Sequence, residues 1–544
     1  MATFKPSVQL YYIRWINLWS VDSTKDVNNF PKIALHLSVG IVLYMFLYGV
    51  MIRMSVMPSS VYYEPIIFPA LCKHLFSSQY AFFIIGLLLL LLFYHNRIKC
   101  SWNKLECGKS IKFLVVLTVA ILTWVFTTYD FNLFFNQAHS LNRFLLLLFI
   151  PLVYWRPVFV FPFIIILLSV IGQFTILQSS MWTVLYLPIR ILIMFCVYFM
   201  IYAFTNYFRT RDFIFLIGCL FAAHYWASGA SKVDWDWIRF DQIYLLLPAT
   251  YANGWLGFLD QDTISSITGK LALFNEPLKV LVLFAEFGCV FFFFRRKLTI
   301  VFLSLWIILH LGIFAVSGIF FWIWVILDMG LLILLLRDKL FAKQKLYNWK
   351  LLLISIVLIA GGRFWCHPVS LFWYDAPLNY TYHFEATAEN GKTYDLPPDF
   401  FAPYDQQFTM SMFNFLSPDP LFPIYWGATS DAALPRWLQN ADSDDKIFEK
   451  EKSDGLIAYN AKATDDLIGF VQQYVRNWNG NLKTNLPGTK LQAPRQLWTY
   501  PIWRDHNKTK PIKSISVTRI TSVYKKGQYS IIRKTLVLEI DITQ

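Results

Sequence analysis

Four ionisable side chains sit where an apolar sequence should exclude them: His224, Glu286, His310 and Asp328 each fall inside a long apolar run. An ionisable group within a membrane-length segment is costly and marks a candidate for proton transfer, ion passage or ligand binding. The alternative reading of each is a helix-to-helix hydrogen bond with no chemical role. A fifth candidate, Lys232, closes a run of small residues, Ala227, Ser228, Gly229, Ala230 and Ser231, and is followed by Asp234 and Asp236. Small residues let a second helix approach closely. In a dry pocket on that face, a lysine can lose its proton near neutral pH and act as a general base. At the edge of the hydrocarbon the same lysine would be only an interfacial anchor, and the residues alone leave both readings open.

The elements that must position these groups are membrane helices. Charged residues make up 15% of the chain and apolar residues 56%, far from the globular norm. Runs such as Ile84–Leu92 and Phe144–Ile150 hold no charge. Using roughly 20 apolar residues per crossing, about eleven spans are expected. They are Ile33–Val56, Tyr80–His95, Ile111–Thr128, Leu141–Tyr154, Val158–Leu177, Leu185–Tyr207, Phe213–Lys232, Leu278–Phe294, Leu298–Val316, Ile319–Leu336 and Lys350–Trp365. The stretch Val8–Leu18 before them mixes aromatics with Arg14 and fits an interfacial amphipathic helix.

A formal charge of +14 would suit a nucleic-acid binder, but its distribution argues against one. Lys and Arg gather in short loops between apolar runs: 95–112, Arg209 and Arg211, Arg295–Lys297, and 337–350. With an odd number of spans, these loops and the N-terminal segment share one face, which the positive-inside rule makes cytoplasmic. Three regions follow: an N-terminal cytoplasmic or interfacial segment 1–32, a transmembrane domain 33–365, and an extracytoplasmic domain 366–544. Lipid is the expected partner of the first two. The aromatic-rich segment Val233–Pro277 is expected along the outer membrane surface.

The tail changes character. Tyr380–Ala386 and Lys392–Leu396 flank Asn390-Gly391 as a hairpin, and Ser514–Tyr524 and Tyr529–Ile540 flank Lys526-Gly527 as a second. Thr464–Trp478 fits an amphipathic helix capped by Thr464 or Asp465, with Leu467, Ile468, Val471 and Val475 inward and Gly480 as its stop. The fold class is therefore an all-α polytopic membrane protein with a small C-terminal α+β extracytoplasmic domain. Cys72 and Cys366, the cysteines expected outside, could pair in an oxidising compartment. Asn379-Tyr-Thr and Asn507-Lys-Thr fit a glycosylation acceptor. His367, His383 and His506 match no metal-ligand spacing, so no metal site is expected.

The Lys232 segment resembles the horizontally transferred transmembrane domain (HTTM) family, which includes the membrane part of vitamin K-dependent gamma-glutamyl carboxylase. Tyr225, Trp226, Gly229, Lys232, Asp234, Asp236 and Trp237 stand in the register of the family's Tyr, aromatic, Gly, catalytic Lys, Asp-x-Asp-Trp pattern. Phe135–Ser140 is similar to its Asn-Asn-His-Ser stretch, which matches His139 to the functional histidine. Glu286 with Arg295–Lys297 is similar to its acidic span and basic turn, and His310, Gly318 and Phe320–Trp322 to its His…Gly…Phe-Pro-Trp stretch. The chain departs from the pattern at Ser231, where carboxylases carry a second Lys, and at Phe321, where Pro is usual.

The resemblance implies a catalytic set of Lys232, His139 and His310. It also implies Tyr225, Trp226, Asp234, Asp236 and Trp237 around a cofactor, a reduced quinone. Lys232 would deprotonate the quinol, the oxidised quinone would become the strong base acting on an exported substrate, and His139 would assist. The competing expectation is a non-enzymatic assembly or export factor on the same scaffold, whose periplasmic tail binds a partner protein. Both place the chain in the inner (plasma) membrane, N-terminus cytoplasmic and C-terminus extracytoplasmic.

Overall fold

The computed structural model describes residues 30–54, 56–77, 81–82, 85–86, 89, 93–128, 131–174, 176–177, 186–337, 345–482, 492–502 and 510–542. The expected interfacial helix Val8–Leu18, half of the expected second span and the Asn507 acceptor lie outside these residues.

The apolar runs fold as helices because a helix satisfies its own backbone groups where no water can. In chain order the main helices are α1 (Phe30–Met54), α2 (Gly108–Thr127), α3 (Ser140–Trp155), α4 (Val160–Ile171), α5 (Tyr186–Thr205), α6 (Thr210–Asp234), the polar α7 (Gln261–Ala272), α8 (Asn275–Phe287), α9 (Arg296–Ser317), α10 (Trp322–Arg337) and α11 (Trp349–Ala360). Among the described residues, six helical segments are long and apolar enough to cross a membrane: α1, α2, α4 with its flanking turns, α5, α6 and α9. The expected spans 141–154 and 350–365 appear as the shorter apolar helices α3 and α11. The expected span 278–294 is α8 continued by a 3-10 turn, and 319–336 is largely α10.

α5 and α6 form the buried centre, while much of α1 and α9 faces outward. The membrane core closes around aromatic rings from several helices. Tyr225 of α6 stacks on Trp306 of α9 at 4.0 Å, and Trp306 stacks in turn on Phe292 at 5.3 Å. The α9–α10 turn depends on Gly318, which sits at φ +71° with the Trp255 ring 2.7 Å from where a Cβ would be.

The region after residue 365, called the outer region because it lies beyond the helix bundle, carries two antiparallel sheets and several short helices. β1 (Tyr374–Asp375), β5 (Ala428–Thr429) and β4 (Ile424–Tyr425) form a small sheet in the order β1-β5-β4. β2 (Leu378–Ala388), β3 (Thr393–Leu396), β6 (Ile512–Lys525) and β7 (Gln528–Asp541) form the larger sheet in the order β3-β2-β6-β7. Both expected hairpins are present, so strands far apart in sequence, β2 and β6, pair at the centre.

Helices α12 (Leu434–Asn440), α13 (Asp444–Asp454) and α14 (Ala461–Gly480) complete this region. α14 starts earlier than its sequence pattern suggested, because Asn460 rather than Thr464 or Asp465 caps it, accepting from the Ala463 N–H. Its inward face is Leu467, Phe470, Val471, Tyr474, Val475 and Trp478. Phe401, fully buried, stacks on Phe408 at 3.7 Å within this core.

Buried polar contacts fasten the outer region to the membrane part. Asp241 Oδ1 accepts the Asp375 N–H at 2.7 Å, and Asn379 Nδ2 donates to the Ala249 carbonyl at 3.1 Å. Asn379 is therefore a buried strand residue and no glycan acceptor in this fold. All seven cysteines are free thiols, so Cys72 and Cys366 do not pair.

Removing the Phe401 ring should cost about 3–5 kcal/mol. Phe401→Ala is expected to lower the unfolding midpoint of the outer region while α-helical content in the membrane part persists, as checked by near- and far-UV circular dichroism on heating.

Candidate functional site

Helix α6 carries the site because its side chains divide between two neighbours. Gly229 allows the first approach: a Cβ there would lie 2.6 Å from the Phe287 nitrogen of α8. With the backbones this close, Lys232 Nζ reaches Glu286 Oε2 at 2.7 Å, and the two side chains retain only 11% and 10% of their exposure. The ammonium also donates to the Leu371 carbonyl at 3.3 Å and lies 5.5 Å from the Trp237 ring centre. A pair this buried is costly to break, about 3–5 kcal/mol when one partner is removed, because the other charge is stranded. Trp226 stacks on Phe287 at 4.4 Å and reinforces the same crossing.

The second neighbour is the α9–α10 pair. The Tyr225 hydroxyl donates to Asp328 Oδ2 at 2.8 Å and meets His310 Nε2 at 2.8 Å. A hydroxyl has one proton, so with that proton toward Asp328 the imidazole Nε2 is the donor. His310 Nδ1 and Asp328 Oδ1 are then left without hydrogen-bond partners inside the fold. His224, one position earlier, takes different hydrogen-bond partners. Its Nδ1 donates to the Leu220 carbonyl at 2.7 Å, which leaves Nε2 to accept from Arg190 at 2.7 Å. Arg190 is itself buried in this contact.

These groups surround one cavity of about 280 Å³. His224, Tyr225, Ser228, Glu286 and His310 supply its polar atoms, and Phe321, Trp324 and Ile313 its apolar membrane-side wall. Leu371, Trp373, Met410, Tyr425 and Trp426 come from the outer region and form the rest of the lining. A mostly apolar cavity with a few convergent polar groups is the usual form of a small-molecule site. Glu286 lines it, and Lys232 stands behind Glu286. Asp234 and Asp236 are exposed at the end of α6, and Trp237 is buried beside Lys232.

His139 is not brought to this cavity. It is buried at the start of α3 with φ +47°, and its Nε2 lies 2.9 Å from the Tyr62 carbonyl. Burial pushes its pKa down. The loop that carries it is held by α14 instead: Asn477 Nδ2 and Gln473 Nε2 donate to the carbonyls of Leu133 and Phe134. Among the described residues, no group of His, Cys, Asp and Glu could hold a metal ion.

The lining from the outer region carried no signal in the sequence, because those residues meet the cavity only through folding. Trp373 is the instructive case. Its indole N–H donates to Asp375 Oδ1 at 2.9 Å, and Asp375 is tied by its backbone to Asp241. Burial pushes the Asp241 carboxyl up to about 7, against the pull of backbone N–H groups and Lys279. Burial, then the neighbouring Asp241, raises Asp375 as well.

The chain matches no protein-family model, no curated protein and no solved structure.

Two outcomes are expected. Gly229→Val forces α6 and α8 apart; overpacking of this kind costs about 1–3 kcal/mol, read as a lower unfolding midpoint of the purified protein. The second concerns pH. The folded chain holds a proton at Asp241 that the unfolded chain releases in the ordinary carboxylate range. Its stabilisation is complete below about pH 4 and fades as pH rises through about 7. Melting midpoints should therefore fall between about pH 5 and about pH 8, and Asp241→Asn should flatten that fall.

Proposed function

We propose that the chain is a multi-pass inner-membrane enzyme of the carboxylase-like, HTTM type, which uses a reduced quinone at the outer membrane face. The observation that carries this reading is the cavity beside the Lys232–Glu286 pair, with His310 and Tyr225 in its wall and Asp328 behind Tyr225. Trp324, Phe321 and Trp426 give it flat apolar surfaces suited to a ring, and the unpartnered Nδ1 of His310, a lining residue, suits a hydroxyl group. A bound quinol would supply an acidic hydroxyl and, with dioxygen as the oxidant, the strong base for a carbon-bound proton on an exported substrate.

The protein's part is proton handling. Lys232 is the proposed general base, but as an ammonium it cannot accept a proton. It must first pass one across the 2.7 Å bond to Glu286 or lose one to the outer face. Glu286 faces the cavity, so protons move between Lys232 and the ligand through its carboxylate. His310 receives or donates at the opposite wall, with Tyr225 and Asp328 fixing its tautomer. His139 supports the outer loops and takes no direct part. The proposed topology has about eleven crossings, with the N-terminus in the cytoplasm and the domain after residue 365 outside. The site then lies at the outer face.

A second reading has its own support. A groove of about 250 Å³ lies between the larger sheet and the outer loops, lined by Tyr251, Asn253, His383, Asp395, Tyr500 and Tyr529. It suits a periplasmic protein partner, as expected of an assembly or export factor.

The deciding experiment is quinol epoxidation in membranes bearing the overexpressed protein. Parent activity is expected, with a loss of about 10²–10⁴-fold in Lys232→Ala and in Glu286→Gln. No activity in the parent, or none lost in Lys232→Ala, rejects the enzyme reading and leaves the partner-binding one. Tag-accessibility mapping should find the two chain ends on opposite faces.

A further inference from the structure

The opposite end of the membrane part holds a second, chemically different recess. It opens where the first turn of α2 lies beside the last turn of α10, with a volume of about 710 Å³. Its polar end is formed by Lys109, Arg337 and Asn103, and no carboxylate lines it among the described residues. Neither Lys109 nor Arg337 has an ion-pair partner among the described residues. α2 starts at Gly108, and the N–H groups of Gly108, Ser110 and Ile111 are met by the Leu105 and Cys107 carbonyls, so the helix start adds only the positive potential of its dipole to the two side-chain cations. A few residues along the same two helices the lining turns apolar: Phe113 and Ile333 are 41% and 39% exposed, with Leu334 beside them.

We propose that this recess binds an anionic phospholipid, its phosphate between Lys109 and Arg337 and its acyl chain along Phe113, Ile333 and Leu334. Two cations at the positive end of a helix dipole fit one negative phosphate. Basic recesses between membrane helices are where acidic headgroups settle. The apolar half decides between a lipid and a soluble phosphate. A free phosphate would use only the cationic end and leave two large side chains bare. A phospholipid matches both ends in one molecule and in the right order along the helices. The inference stands apart from the proposed quinol chemistry, which lies at the other end of α10.

Native mass spectrometry of the full-length protein, released from mixed phosphatidylglycerol and phosphatidylcholine nanodiscs, tests it. The parent should retain phosphatidylglycerol in preference to phosphatidylcholine. Lys109→Gln with Arg337→Gln should lose the preference at least about tenfold, and millimolar inorganic phosphate should not displace the lipid. Equal retention of the two lipids by the parent overturns the proposal, as does an undiminished preference in the double variant. Displacement by phosphate alone would make the site one for a soluble anion. Should the double variant fail to accumulate, Lys109→Gln alone, at an exposed position, gives the same comparison with a smaller loss.

Discussion

An ammonium and a carboxylate held 2.7 Å apart in an almost dry wall set the terms for the rest of the molecule. Such a pair persists only if the helices bearing it cannot separate, since stranding either charge costs several kcal/mol. Gly229 supplies the closeness, and Trp226 on Phe287 resists separation. The Leu371 carbonyl completes the ammonium's hydrogen bonding from the outer region. The strap that brings Leu371 is itself fixed, because the Leu371 N–H donates to Ser228 Oγ at 3.1 Å. The small residues of α6 thus serve two purposes: they admit α8 on one side and receive the outer strap on another.

The outer region is consequently part of the cavity and not an appendage. Trp373 and Trp426 line the same space as Tyr225 and His310. The Trp373–Asp375–Asp241 contacts couple that lining to the surface segment after α6. The membrane part and the outer region each have an apolar core, with Trp426 and Leu497 packed into the first and Leu133 into the second, and buried polar contacts join them as well. Buried polar groups need their partners, so these contacts fix one arrangement of the two parts more firmly than apolar packing would.

The two ends of the membrane part differ in chemistry because their surroundings differ. At the end that meets the C-terminal sheets, charges are paired and enclosed by aromatic rings. At the other end, Lys109 and Arg337 stand open beside bare apolar side chains. Arg209, Arg211 and Asp212 at the start of α6 show the intermediate case, with cations buried but neutralised in part by one shared carboxylate. A polytopic chain can keep such ends distinct because its helices run the full distance between them.

Much of this was legible in the residues. Length and the absence of charge marked the long helices, since lipid allows few other backbone solutions. Turn residues and alternation marked both hairpins, and the spacing of apolar residues marked α14. Intramembrane polarity singled out Glu286, His310 and Asp328, and the small-residue run singled out Lys232. These are local signals, carried by neighbours within a few turns. The fold alone decided which of them meet: Lys232 with Glu286, Tyr225 with both His310 and Asp328, and His139 with Tyr62, away from the rest. It also brought Trp373 and Trp426 to the cavity and gave α14 its cap at Asn460. Periodicity tells a side chain which face it occupies, but not which helix will stand opposite. That depends on packing among segments separated by tens to hundreds of residues, and only the assembled structure determines it.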